Sequence, residues 1–318
     1  MKILTLGLGA FGFAMNKLLG ENKPDHTFYA FELNNEITNR VKLDRQHPYF
    51  FPGYKLPDNI NIIDDYTDII SDIDLLIIAI PVQFISSSIA GLKDNLKPGV
   101  TILNLAKGID IKSNKLISEL VDELLVGKDY NYSVLSGGMI AAEVVEGKTL
   151  GADLGIKNIE IGNRIKSFLE NDHLKVKVQT NILNIELYGS LKNIMAIMVG
   201  YYEGKGEGKS SIGYRLLSFY DEMKEIIKLY GGNDNLDFSY YSLGGDIVAT
   251  CFGNSRNHYF GQLLGSGKNI SLVLEILKSE NKHAEGYETL KAVYDKVKDE
   301  LGFENIKLLY SLIQQKNI

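Results

Sequence analysis

Lys192 stands inside Glu186-Leu-Tyr-Gly-Ser-Leu-Lys-Asn-Ile-Met-Ala-Ile197, a run whose pattern predicts a mostly apolar helix. An ammonium in such a run is costly unless it has a partner or a task. Asn193 follows it, and Gly189 lies three residues before it, leaving a gap on roughly the same helix face. A flat or bulky group can approach the amine through that gap. Asp246 and Thr250, four apart in Gly244-Gly-Asp-Ile-Val-Ala-Thr250, share one helix face. Arg256 and Asn257 lie in the polar stretch Cys251-Phe-Gly-Asn-Ser-Arg-Asn257, where a guanidinium fork suits a phosphate. Taken singly, each has a plainer reading. Lys192 is then a core-helix lysine that snorkels to solvent, and Arg256 a surface arginine near a helix start.

The elements that must position these groups fall into two kinds. Lys2 to Leu6 reads as a buried strand, followed at once by Gly7-Leu-Gly-Ala-Phe-Gly12 and a helical pattern from Phe13. In strand, G-x-G-x-x-G, helix, Gly7 makes the tight turn, Gly9 lets a pyrophosphate approach, and Gly12 lets helix and strand pack closely. The phosphate sits on the helix N-terminus. A second strand, Thr27-Phe-Tyr-Ala-Phe31, ends in Glu32, twenty residues after Gly12. An acid there accepts the ribose 2′-hydroxyl and repels a 2′-phosphate, which favours NAD over NADP. Its alternative is a surface acid at a strand end.

An ordered loop is expected over residues 45–57, then strands at 60–63, 74–80, 100–105 and 132–135, with a shorter one near 175–178. Helices are expected from about 83 and over 113–125. Strands alternating with helices predict a parallel, doubly wound sheet, with ligands at the strands' carboxyl ends. Gly7, Glu32, Pro81, Lys107 and Gly138 all fall at such ends. From about residue 180 long helical patterns take over, at 181–202, 212–230, 237–250, 258–265, 270–279, 284–299 and 304–315. The expected organisation is a dinucleotide-binding domain over 1–179 and an all-α domain over 180–318. In that setting Lys192, Asn193, Asp246, Thr250, Arg256 and Asn257 are the donors and acceptors needed to hold a small phosphorylated hydroxy-ketone.

The 318 residues, 45% hydrophobic, are enough for two cores. A net charge of −6 argues against general binding to nucleic acid or anionic membrane. One cysteine, Cys251, permits no internal disulfide. No metal-ligand pattern is present, and no apolar run reaches membrane-spanning length on inspection. The N-terminal segment starts positive and continues apolar, but glycines interrupt it and no cleavage pattern follows, so the expectation is a cytoplasmic protein without a leader. Gly204-Lys-Gly-Glu-Gly-Lys-Ser210 imitates a P-loop, yet the required first glycine is Glu203 and the stretch joins two helices.

Several of these runs together resemble the NAD-dependent glycerol-3-phosphate dehydrogenases over nearly the whole length. They are Gly-Leu-Gly-Ala-Phe-Gly (7–12), Tyr-Phe-Phe-Pro-Gly-Tyr-Lys-Leu-Pro (49–57), Ile-Pro-Val-Gln-Phe-Ile (80–85), Lys-Gly-Ile-Asp (107–110), Gly-Ser-Leu-Lys-Asn-Ile (189–194), Gly-Asp-Ile-Val-Ala-Thr (245–250) and Ser-Arg-Asn (255–257). The resemblance implies a Rossmann-type sheet followed by a helical domain like the C-terminal domain of 6-phosphogluconate dehydrogenase. It implies a homodimer and NAD as cofactor. It implies Lys192 as catalytic acid/base, Lys107 as a second active-site lysine, and Asp246 with Thr250 as a polar pair beside the substrate. Asn193, Arg256 and Asn257 become substrate contacts. Gly7, Gly9, Ala10, Phe11, Gly12, Glu32, Pro81, Phe84, Lys107, Ala141, Arg256 and Glu285 become cofactor contacts. One departure stands out. Gly137-Gly-Met-Ile-Ala141 carries Met139 where the family usually has Asn or Ser, which opens the alternatives of another phosphorylated ketose or a silent NADH sensor.

Overall fold

The computed structural model describes residues 1–280 and 282–314. It divides into two compact units, the first made of Met1–Ala106 with Ile117–Ile182, the second of Lys107–Leu116 with the chain from Leu183 onward.

The first unit is built on one eight-stranded sheet. Its strands are β1 (Lys2–Leu6), β2 (Thr27–Phe31), β3 (Ile60–Ile63), β4 (Leu75–Ile78), β5 (Val100–Asn104), β6 (Tyr130–Gly137), β7 (Leu150–Ile156) and β8 (Leu174–Gln179). They lie in the order β3-β2-β1-β4-β5-β6-β7-β8. β1 pairs in parallel with β2 on one side and β4 on the other, so the order reverses at β1. Ligands on open α/β sheets gather at such a switch point, beyond the carboxyl ends of the strands. Helices α1 (Ala10–Asn22), α2 (Asn35–Asp44), α3 (Val82–Leu92), α4 (Ile117–Leu124), α5 (Ala141–Val145) and α6 (Ile159–Leu169) connect the strands. The inner strands read as continuous apolar runs because both faces are covered; every residue of β4 and β5 is buried.

The structure corrects the sequence reading in several places. β6 and β7 are antiparallel, so the sheet is mostly, not wholly, parallel. β7, with the sequence Leu-Gly-Ala-Asp-Leu-Gly-Ile, was absent from the expected elements. Two glycines and an alanine give it little intrinsic strand preference, and its two sheet neighbours impose the conformation instead. Gly137 explains why small residues are needed there: a Cβ on it would lie 2.2 Å from the Gly151 carbonyl oxygen. Helices α5 and α6 were likewise missed. The helix expected from 113 begins at Ile117, because Asp110 accepts from the Ser113 N–H at 2.9 Å and Asn114 turns left-handed (φ 56°).

The second unit is helical: α7 (Ile182–Gly204), α8 (Lys209–Leu229), α9 (Asp246–Cys251), α10 (Arg256–Gly265), α11 (Ile270–Ser279), α12 (Glu285–Val297) and α13 (Glu304–Gln314). Position 315, the last of the expected final helix, lies outside the described residues. The expected 237–250 helix is instead a π-helical turn, Tyr241–Gly245, followed by the short α9. Gly244 is required in that turn, since a Cβ would meet the Phe238 carbonyl oxygen at 2.1 Å. α7 does have the length and hydropathy of a membrane span, contrary to the inspection of the sequence. Its most apolar window is 94% buried inside the protein, as befits a core helix. The imitation P-loop joins α7 to α8.

Candidate active site

In the first unit the glycine loop has the geometry its spacing predicts. Gly7 takes φ +97°, a left-handed conformation, and donates its N–H to the Phe31 carbonyl at 2.8 Å. A Cβ on Gly12 would lie 2.1 Å from the Gly7 carbonyl oxygen, so helix α1 reaches the loop only because Gly12 has none. Gly9 is the opposite case: a Cβ there would meet nothing within 4 Å. The space over Gly9 is open, and among the described residues no side chain caps the N-terminus of α1. The backbone of Ala10, Phe11 and Gly12 therefore presents a helix N-terminus to an open cradle, which fits a pyrophosphate.

Glu32, just past β2, bonds the loop itself. The Leu8 N–H donates to its Oε2 at 2.8 Å and the Asn34 N–H to its Oε1 at 2.9 Å. Each carboxylate oxygen keeps acceptor capacity for a ribose hydroxyl. Pro81 caps α3, Phe84 in its first turn is 53% exposed, and Ala141 opens α5. These residues all lie just beyond carboxyl ends of strands in one sheet. The donor set and the open cradle together fit a dinucleotide.

Met139 does not stand as a polar-to-apolar change in open space. It is 8% exposed and packs in the apolar cluster of the first unit with Phe13, Leu135 and Val144.

The second unit gathers the charged residues. Lys107, the first residue of the Lys107–Leu116 segment, donates from Nζ to Asp246 Oδ2 at 2.6 Å. Lys192 Nζ lies 2.9 Å from Asp246 Oδ1 and donates to Thr250 Oγ1 at 2.6 Å. The Thr250 hydroxyl in turn donates to Asp246 Oδ1 at 2.9 Å. One buried carboxylate thus bridges two ammoniums, and the cluster carries a net positive charge. An ammonium has three N–H donors, and Lys192 uses two here, leaving the third for a ligand. Burial pushes the Lys107 ammonium below its ordinary range, partly offset by Asp246 and reinforced by Lys192. Burial alone would raise the Asp246 carboxyl, but the two lysines outweigh it and hold the group below the usual carboxylate range. Cys251, buried beside this cluster, is pushed up to about 12 and stays a thiol.

Next to Lys192, Asn193 is locked to Asn257 of α10. Asn257 Nδ2 donates to Asn193 Oδ1 at 2.9 Å, and the Gly286 N–H donates to Asn257 Oδ1 at 2.9 Å. Asn193 is 2% exposed, and its Nδ2 has no partner among the described residues. A buried amide left unpaired costs about 1–3 kcal/mol, which marks it as a donor awaiting a ligand. Arg256 is exposed at the first position of α10, with Ser255 as the capping residue. A cation at the positive end of a helix is unfavourable on its own and becomes favourable when an anion bridges both. Glu285 is exposed at the start of α12 and acts electrostatically on Lys107.

Two contributors escaped the sequence reading. A Cβ on Gly286 would lie 2.8 Å from the Asn193 carbonyl oxygen, so only glycine lets α12 approach the asparagine pair. Asn114 fixes the segment that carries Lys107: its Nδ2 donates to the Ala292 carbonyl at 3.0 Å and its Oδ1 accepts from the Tyr230 hydroxyl at 2.5 Å. The available signal was the residue type itself, since Asn tolerates the left-handed conformation. Gly286 gave none without knowledge of its helix neighbours.

Comparisons with known proteins bear on the family. The model described as NAD-dependent glycerol-3-phosphate dehydrogenase N-terminus matches residues 2–161, and the corresponding C-terminus model matches 181–317. A glycerol-3-phosphate dehydrogenase [NAD(P)+] of Chlorobium phaeobacteroides is 30% identical over 298 residues, 93% of this chain and 87% of that protein. The chloroplastic glycerol-3-phosphate dehydrogenase [NAD(+)] 2 of Arabidopsis thaliana is 28% identical over 92% of this chain and 69% of its own length. The crystal structure of glycerol-3-phosphate dehydrogenase from Coxiella burnetii superposes with a TM-score of 0.89 at 21% identity, covering 98% of this chain and 94% of that one. The fold is shared with that structure, and because both halves of the family are matched in order along the sequence, this chain belongs to the NAD-dependent glycerol-3-phosphate dehydrogenases.

Proposed function

We propose that the protein interconverts dihydroxyacetone phosphate and sn-glycerol 3-phosphate, with NAD(H) as redox partner. The observation that carries this reading is the buried Lys192–Asp246–Lys107 cluster beside an unpaired Asn193 amide. NADH, when bound, supplies the hydride that reduces the carbonyl carbon.

The remaining work falls to the chain's own residues. The third N–H of Lys192 meets the carbonyl oxygen, stabilises the negative charge that develops there and donates the proton. Asp246 and Thr250 fix the direction of that amine. Lys107 adds positive field and, with its lowered proton affinity, exchanges a proton through the shared carboxylate. Arg256 and Asn257 hold the phosphate, and Asn193 Nδ2 takes a substrate oxygen, so the carbonyl is fixed in one place. Glu285 helps hold the nicotinamide end. In the oxidative direction Lys192 acts as the neutral amine and accepts the alcohol proton. The first domain, 1–179, then holds the dinucleotide and the helical one, 180–318, the substrate. Glu32 favours NAD over NADP by repelling a 2′-phosphate. The packing of Met139 into the apolar core supports retention of the family substrate. We further assign a cytoplasmic homodimer.

The test is NADH oxidation at neutral pH with dihydroxyacetone phosphate, run beside NADPH and a panel of other ketose phosphates. Turnover with NADH and that substrate is the expected result. Turnover with another ketose phosphate alone would reassign the substrate. Tight NADH binding without turnover on any of them would make the protein a sensor.

A further inference from the structure

His47 is a buried titratable group for which the proposed reaction has no use. It lies in the loop between α2 and β3, 5% exposed, with its ring edge-on to Phe13 of α1 at 5.7 Å and tilted against Phe50 at 4.7 Å. Its Nδ1 accepts from two backbone N–H groups, Tyr49 at 3.1 Å and Phe50 at 3.2 Å. A nitrogen accepting two N–H bonds carries no proton, so the neutral ring has its hydrogen on Nε2. That Nε2 is buried and makes no hydrogen bond among the described residues. Burial holds the ring neutral, while the Leu8 backbone and Glu32 act on it in the opposite direction, which locates both beside it.

Leu8 is the second residue of the glycine loop, and its N–H is already held by Glu32. Leu8 therefore has a fixed acceptor on its N–H, and its backbone acts on a buried ring whose Nε2 has no partner among the described residues. We propose that His47 is a positioning residue for the dinucleotide loop: its Nε2–H closes a hydrogen bond to the Leu8 carbonyl when the loop tightens on a pyrophosphate. The aromatic loop behind it, through Phe51 packed on Phe13 at 6.1 Å, keeps the ring from retreating. Glu32 and His47 then hold the two successive peptide units that flank the Leu8 Cα.

The proposal rests on the dinucleotide reading and on no assumption about the substrate. Protonation of His47 would place a hydrogen on Nδ1 and break both backbone contacts. Burial lowers the ring's proton affinity, so dinucleotide affinity should weaken only at a pH below the ordinary histidine value of 6.5. The other charged groups beside the ring are Glu32 and, through Tyr49, Glu36.

The experiment is NADH binding by fluorescence titration from pH 5.5 to 8 with wild type and His47→Asn. Asparagine can accept from the Tyr49 and Phe50 N–H groups but is too short to reach Leu8 and does not titrate. The expected result is about tenfold weaker NADH binding at pH 7.5 with little change in melting temperature, and loss of the acid limb of the affinity profile. Equal affinity and an identical profile in the variant would overturn the proposal while leaving the dinucleotide reading intact. Absence of NADH binding by wild type would overturn both. A second measurement needs no variant: in protein with 15N-labelled histidine, the His47 Nε2 resonance should move downfield on adding NADH, and an unchanged resonance with bound NADH counts against the hydrogen bond.

Discussion

The glycine loop of the first unit and the lysine cluster of the second prepare for a ligand in opposite ways. The loop works with backbone: three positions without side chains, a helix N-terminus and one acid that bonds the loop's own N–H. The cluster works with side chains drawn from positions 107, 192, 246 and 250, and its charges are buried before any ligand arrives. A backbone site is set by local geometry and tolerates change only where a Cβ has room. A buried charge cluster is set by mutual neutralisation and fails when one member is removed. Substitutions that treat the two sites alike should therefore give unlike results.

The largest effect is expected at Lys192. Lys192→Ala should lower kcat/KM by about a thousandfold, because in the proposed mechanism it removes both the proton donor and the charge opposite the developing oxyanion. NADH affinity should be unchanged, as measured by fluorescence titration. Near-normal turnover in a folded variant would remove Lys192 from the mechanism.

Asp246→Asn tests the mutual dependence of the cluster. Two ammoniums then share no carboxylate, and unfolding in urea at pH 7 should show a loss of about 3–5 kcal/mol. The sign with pH follows from the depressed carboxyl. Its stabilisation is full above the ordinary value of 3.8 and disappears as the pH falls through the lower folded-state value. Wild type should keep this contribution down to that region, whereas the variant should show no such limb. Equal stability of the two proteins at pH 7 would mean that the cluster is not a unit.

The glycine loop should separate by position. Gly12→Ala places a Cβ 2.1 Å from a carbonyl oxygen and should destabilise the first unit by about 1–3 kcal/mol. Gly9→Ala meets open space and should melt close to wild type, yet bind NADH about tenfold more weakly. If both variants bind NADH like wild type, the cradle over Gly9 is not where the pyrophosphate lies.

The smallest effect is expected at Asn114. Asn114→Ala loses the bonds to Ala292 and Tyr230 and strains a left-handed position, which should cost about 1–3 kcal/mol. Because the segment it holds carries Lys107, kcat should fall a few-fold while NADH affinity stays constant. A fall in stability with unchanged kcat would limit Asn114 to a structural role.

How far the fold was legible depended on how local each determinant is. β1, the glycine loop and α1 follow from consecutive residues, and the structure reproduces them because turn chemistry and apolar patterning coincide there. β7 was not legible, since its glycines and alanine become a strand only between β6 and β8. The break before Asp246 was also hidden: the pattern of 237–250 is helical, but Gly244 packs against the Phe238 carbonyl and the chain makes a π turn instead. At the candidate site, Lys192 drew attention as a charge in an apolar run, and Asp246 and Thr250 by their spacing. That Asp246 joins both lysines could not be read from the sequence, because nothing local connects 107 with 246.

By itself, the sequence determined the dinucleotide loop, the succession of strands and helices, and the identities of the groups able to do chemistry. These rest on dihedral preference, periodicity and side-chain type, which are properties of short stretches. The tertiary structure decided the antiparallel β6–β7 pair, the transfer of Lys107 to the helical unit, the two-lysine bridge at Asp246 and the unpaired amide of Asn193. Those depend on desolvation and on which distant groups share one buried space, and such quantities exist only once the chain has packed.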